Sequence, residues 1–194
     1  MVNNLFIIFT DFDGVFARVQ TWGNDSLFRT KCAKIGCIAM GDLDIYALNR
    51  IDRLFRPLKN MDVWLVSTST WKRVFDKAKN RAFIEKWAGL KKIKIVKKNR
   101  KSFDRINRWE PYTRISLIKY YLKKYKPFSY LVLDDQYEAA MKNEFGEHFL
   151  HTNEANGLSF DDYIKIRGIV SPMIPKKVSE EDERNFDALL AGVF

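Results

Sequence analysis

Apolar residues in this chain fall into short runs that stop abruptly at polar clusters. Residues 5–9 are five apolar positions in a row without a helical period, which predicts a buried strand. This run leads directly into Thr10, Asp11, Phe12, Asp13 and Gly14. Residues 63–66 repeat the pattern and end in Ser67, Thr68, Ser69 and Thr70, and residues 130–133 end in Asp134 and Asp135. Between these runs the period changes. Ile45, Leu48, Ile51, Leu54 and Phe55 recur at helical spacing, so a helix is expected over residues 44–58, with Pro57 marking its end. Further helices are expected over 71–87, with Gly89 as C-cap, and over 111–125, with Ile115, Ile118, Tyr121 and Leu122 on one face. Two more, over 137–145 and 160–168, complete the core. Residues 92–97 alternate Ile93 and Ile95 with lysines, the pattern of an exposed strand. Residues 17–40 read as irregular, with turn signals at Gly23, Asn24, Asp25 and Gly36.

Strands that alternate with helices imply an α/β fold: a Rossmann-like, mostly parallel sheet with helices on both faces. In such sheets ligands bind beyond the carboxyl ends of the strands. If the three strands are neighbours, their polar ends meet at one edge.

Asp11 and Asp13 point to the same side of an extended chain, because side-chain direction alternates with period two. Their like charges raise each other's pKa unless a cation sits between them or the chain turns, and Gly14 permits a sharp turn. With Asp134 and Asp135 they make an oxygen-rich set suited to Mg²⁺, which favours carboxylates, water and substrate phosphate. Asp11 is then placed to attack phosphorus and form an aspartyl-phosphate. Asp13 is placed to protonate the leaving oxygen and later to deprotonate water. Hydroxyls at Ser67 and Thr68, with a Lys or Arg, suit the phosphoryl oxygens. Calcium loops and plain turns use similar residues, but an EF-hand is excluded: Val15 occupies its third acidic position and no glutamate stands at the last one.

Composition narrows the setting. A chain of 194 residues with 46% hydrophobic residues is long enough for one domain with a real core. No apolar run spans a bilayer and no signal-peptide pattern opens the chain, so no membrane association is expected. Cys32 and Cys37 read as free thiols of a reducing cytoplasm. The net charge of +10 favours polyanionic partners. Residues 86–108 concentrate ten Lys and Arg against the single acid Asp104, interleaved with Trp87 and Phe103, and Trp109 follows. Within them Lys97, Lys98, Arg100 and Lys101 are candidates for a phosphate backbone. A solvated charged face accounts for the same run. Trp71 can stack on a base, but a helix-start aromatic more often belongs to the core, as does Phe12. His148 and His151, without a zinc-type context, read as surface residues.

The order of IIFTDFDGV, VWLVSTSTW and YLVLDD resembles the haloacid dehalogenase-like (HAD) phosphatase superfamily over roughly residues 5–165. A narrower likeness, carried by STSTW, RISLIKYYL and NGLSFDDY, is to the small HAD domains of RNA-repair proteins and to polynucleotide 3′-phosphatase domains. The resemblance implies a catalytic domain over residues 1–170, with 171–194 as a tail or helix packed on it. It implies Asp11 as nucleophile and Mg²⁺ ligand, and Asp13 as acid/base with its main-chain carbonyl on the metal. Ser67 then binds the phosphoryl group, and Asp134 and Asp135 hold Mg²⁺. Arg114 is the choice for the family's third-motif cation, with Lys119 in reserve; an Arg here departs from the commoner Lys. The thirty or so residues between Gly14 and the 44–58 helix leave no room for a large early cap, and an open site admits nucleic-acid ends. A Mg²⁺-dependent phosphatase of single-stranded nucleic-acid or nucleotide ends is the leading expectation. A small-molecule phosphatase or nucleotidase and a non-catalytic nucleic-acid-binding HAD fold are the alternatives.

Overall fold

The computed structural model describes residues 4–17, 26–69, 71–97 and 111–174. Five parallel strands form one sheet in the order β3-β2-β1-β4-β5, where β1 is Leu5–Thr10, β2 Asp62–Ser67, β3 Ile93–Ile95, β4 Ser129–Asp134 and β5 Phe149–His151. The central strand β1 is buried along its whole length, which its unbroken apolar sequence requires. Its side chains alternate between two cores. Phe6 and Ile8 join one with residues of α1 (Ser26–Lys34), α2 (Ile45–Phe55), α3 (Lys72–Phe75), α4 (Ala78–Trp87) and α7 (Phe160–Val170). Leu5, Ile7 and Phe9 face the other, formed with α5 (Pro111–Tyr125) and α6 (Glu138–Phe145). The α/β architecture with helices on both faces is therefore as expected.

Local differences have local causes. Residues 17–40 are not wholly irregular: α1 lies within them, and a 3₁₀ turn at Ile38–Asp42 begins there. Helix α1 buries Phe28 and Cys32, four residues apart, and leaves Leu27 exposed, so its apolar period is too sparse to read. Phe28 stacks against Phe83 and Trp87 of α4. The expected helix over 71–87 breaks between α3 and α4. Asn80 Nδ2 donates to the Val74 carbonyl at 2.8 Å, and Arg81 donates to that of Phe75, so side chains satisfy carbonyls that the break exposes. Strand β5, only three residues long, was not expected. Edge strand β3 buries Ile93 and Ile95 and exposes Lys94, as the alternation implied.

Asp52 shows how a helix holds that edge. It is fully buried on α2, and its carboxylate accepts the main-chain N–H groups of Lys91, Lys92 and Ile93 at 2.7–3.1 Å. Arg56, one turn on, donates to the same group at 2.8 Å. Helix α2 thereby caps the entry to β3. Asp52→Ala removes the acceptor of three amides and is expected to lower stability by about 3 kcal/mol. Urea unfolding of the two proteins measures the difference.

Candidate active site

Parallel register brings the strand ends together. Thr10 pairs with Ser67 on one side and with Leu133 on the other. The ladder continues one residue further: Asp11 N–H donates to the Leu133 carbonyl at 3.0 Å, and Thr68 N–H to the Thr10 carbonyl at 2.9 Å. The three polar clusters thus share one edge of the sheet. After Asp11 the chain folds back on itself. Phe16 and Ala17 donate to the Phe12 carbonyl, and Gly14 donates to that of Ala17. Gly14 has φ of +69°, and a Cβ there would lie 2.2 Å from Asp135 Oδ2, so the turn needs glycine for conformation and for space.

Carboxylate oxygens of Asp11, Asp134 and Asp135 all lie within 4.8 Å of one another. Arg114, near the start of α5, stands among them: its Nη1 is 2.6 Å from Asp11 Oδ2 and 2.6 Å from Asp134 Oδ2. Its Nη2 donates to Gln136 Oε1, and its guanidinium lies 5.3 Å from the Tyr137 ring centroid. The Gln136 N–H donates to Asp134 Oδ1 at 2.9 Å. Lys119 instead pairs with Glu144 and is away from these carboxylates.

Burial pushes the Asp11 carboxyl up from its ordinary value, with Arg114 opposing. Burial raises Asp134 to about 6 against the pull of Arg114, and burial together with the Asp11 charge raises Asp135 to about 6. Burial also works against the charge on Arg114, but Asp11 and Asp134 outweigh it and hold the guanidinium above its usual value. An acidic cluster with one cation is short of positive charge.

The orphaned atoms agree. Asp11 Oδ1, Asp135 Oδ1 and the hydroxyls of Ser67 and Thr68 are buried without a hydrogen-bond partner among the described residues. Unpartnered buried oxygens cost free energy that a bound group relieves. Three hard carboxylates with two open oxygens fit a magnesium-like cation. The Ser69 hydroxyl lies beside Asp11, where it favours the ionised carboxyl.

Asp13 is set apart from this cluster. It is exposed, and its Oδ1 accepts the indole N–H of Trp71 at 2.8 Å. Phe12 is fully buried in the core, as expected, and so is most of Trp71. Lys97 is exposed just past β3, whereas Lys98, Arg100 and Lys101 lie outside the described residues. His148 stacks on Tyr130, and His151 contacts the Asp135 carbonyl; neither joins a metal-type cluster among the described residues. Cys32 and Cys37 are free thiols.

One site residue, Thr152, and one contact, that of Trp71 with Asp13, escaped the sequence reading. Thr152, just past β5, donates its hydroxyl to the Gly14 carbonyl at 3.1 Å and its N–H to the Asp134 carbonyl at 3.1 Å. It clasps the first and third clusters, and with β5 unrecognised nothing singled it out. Trp71 did carry a signal, because a buried indole N–H needs an acceptor.

The raised carboxyls give a stability test with a definite sign. Asp135 in the folded chain holds its proton up to about pH 6, so its charge opposes folding above that value and the opposition fades as it protonates below. In chelator, Asp135→Asn is expected to melt higher than the parent at about pH 8, with the gap narrowing below about pH 6 and closing towards about pH 4. Thermal unfolding across that range checks it.

Comparison with known families agrees with this fold. A family model described as the HAD domain in Swiss Army Knife RNA repair proteins matches residues 7–163. No curated protein and no solved structure matches the chain. The matched span runs from β1 into α7 and takes in all three strand-end clusters. The chain therefore belongs to the HAD superfamily, in the family of HAD domains found in Swiss Army Knife RNA repair proteins.

Proposed function

We propose that this chain is a Mg²⁺-dependent phosphatase that removes phosphate from nucleic-acid or nucleotide ends through an aspartyl-phosphate on Asp11. The observation that carries the reading is the meeting of Asp11, Asp134 and Asp135 with Arg114 and with buried, unpartnered hydroxyls at one sheet edge. Membership of an RNA-repair HAD family supports a phosphorylated nucleic-acid substrate.

Asp11 must be ionised to attack. Arg114 at 2.6 Å favours that form, against burial. The attacking oxygen forms a bond to phosphorus as the bond to the leaving oxygen breaks. Asp13 gives its proton to that leaving oxygen, and the alcohol departs. Asp13, now a carboxylate, takes a proton from water as the water oxygen attacks the phosphorus of the aspartyl-phosphate. Inorganic phosphate leaves and Asp11 is restored. Ser67, Thr68 and Arg114 offer donors to the phosphoryl oxygens. Asp11, Asp134, Asp135 and the Asp13 carbonyl are the groups that would hold Mg²⁺, which supplies positive charge against the phosphoryl oxygens.

Lys97 stands beyond the carboxyl end of β3, on the sheet edge that also carries Asp11, where it can meet a phosphate backbone. Lys98, Arg100 and Lys101 extend that run in sequence.

Hydrolysis of a 3′-phosphorylated oligonucleotide, a 5′-phosphorylated one and free mononucleotides, each with Mg²⁺, tests the function. Asp11→Asn is expected to abolish turnover, and Asp13→Asn to slow it by about 10² to 10⁴. Parental activity in Asp11→Asn would sink the mechanism. Preference for mononucleotides over both oligonucleotides would make the small-molecule reading the better one.

Oligonucleotide affinity should fall with salt, with a log–log slope of roughly −0.7 per phosphate contact on a single strand. Substituting Ala for Lys97, Lys98, Arg100 and Lys101 together should flatten that slope and raise KM. Unchanged binding in the quadruple variant would leave the segment as a solvated face.

A further inference from the structure

Asp13 poses a problem of control. An acid/base side chain on an exposed loop samples several rotamers, and either of its two oxygens can carry the proton. Trp71 removes both freedoms. Its indole N–H meets Asp13 Oδ1 at 2.8 Å, and among the described residues no other side chain is hydrogen-bonded to that carboxylate. The indole is itself held. It stacks on Phe12 at 5.8 Å and 28° and on Phe75 at 6.2 Å and 27°, while Phe12 and Phe75 lie 4.6 Å apart. Trp71 is 7% exposed and Phe12 and Phe75 are 0% and 2% exposed, so this aromatic stack cannot shift freely. The residue between the two aspartates thus buttresses the residue that grips the second one.

We infer that Trp71 is a positioning residue for Asp13, whose indole N–H fixes the carboxyl and directs its proton onto Oδ2. This rests on the phosphatase reading above. An indole N–H donates only, and it has no lone pair to accept a proton in return. When Asp13 is protonated, the indole N–H bonds best to the carbonyl-type oxygen, so engaging Oδ1 favours the O–H on Oδ2. That oxygen is then the one to meet the leaving group. As the phosphorus–oxygen bond breaks, the leaving oxygen takes the Oδ2 proton, and Asp13 is left as a carboxylate still held through Oδ1. Tyr or His in the same place could accept from the acid or exchange a proton with it; Phe would leave it unheld.

The test is the leaving-group dependence of kcat/KM, which reports the steps up to the first irreversible one and so isolates the protonation of the leaving oxygen. An alkoxide departs poorly without a proton, whereas p-nitrophenolate departs readily. The ratio of kcat/KM for the oligonucleotide phosphate best cleaved by the parent to that for p-nitrophenyl phosphate cancels any loss of folded protein. Trp71→Phe keeps the stack, loses the N–H and should lower this ratio about tenfold or more, part of the full worth of the general acid. Asp13→Asn should lower it further, and adding Trp71→Phe to Asp13→Asn should leave it unchanged, because the two act as a unit. Phe28→Leu loosens the same core away from this stack, leaves the indole and its N–H untouched, and should keep the parental ratio. Equal losses on both esters in Trp71→Phe, or a fall in the ratio added to that of Asp13→Asn, would overturn the role of Trp71. A parent inactive on both esters with Mg²⁺ would overturn the phosphatase reading and this inference with it.

Discussion

A guanidinium between two buried carboxylates is the constraint around which the carboxyl edge of the sheet is arranged. Asp11 and Asp134 come from neighbouring strands whose register leaves them no room to separate. Arg114 reaches both from α5, which buries Ile115, Leu117, Ile118 and Tyr121 against the sheet. The support continues outward. Tyr137, over which the guanidinium lies, has a left-handed backbone with φ 56° and ψ 34° at the start of α6. A bulky residue in that region is uncommon and costs of order 1 kcal/mol or more, tolerated where the surroundings over-determine it. Removing the cation would leave two buried acids facing each other, so Arg114 serves the fold in its own right.

The two cores divide the labour around this edge. The face formed with α5 and α6 delivers the cation, and the opposite face delivers the aromatic stack behind Phe12. Thr152 joins the β1 loop to the end of β4 from just past the neighbouring strand β5. Each cluster is therefore tied to backbone or core rather than left on a free loop, which suits groups that must keep sub-ångström relations.

The motifs legible in the sequence are those that the period of the chain sets in relief. Buried parallel strands must be apolar throughout, so β1, β2 and β4 were plain, and so were the polar residues where each stops. The period of α5 placed Arg114 at the start of that helix, and the family resemblance singled it out as the cation. Shorter or weaker signals failed: β5 has three residues, α1 turns on one Phe and one Cys, and the break after α3 depends on tertiary partners for its carbonyls. Pairings across the fold, such as Trp71 with Asp13 or Thr152 with Gly14, leave no local pattern, because 58 and 138 residues separate their members.

The contact between Gly14 and Asp135 reaches beyond the site itself. The space that a methyl at position 14 would need is already filled by the side chain of Asp135, which follows the neighbouring strand β4. The fitness of a substitution at either position thus depends on the residue at the other. Such a pair is epistatic: any side chain at position 14 meets residue 135 from its Cβ outward, in addition to the cost of the left-handed backbone. Loss of the acid alone can be reversed in one step while the glycine remains, whereas loss of both would work as a ratchet, closing the short mutational route back to the original pair.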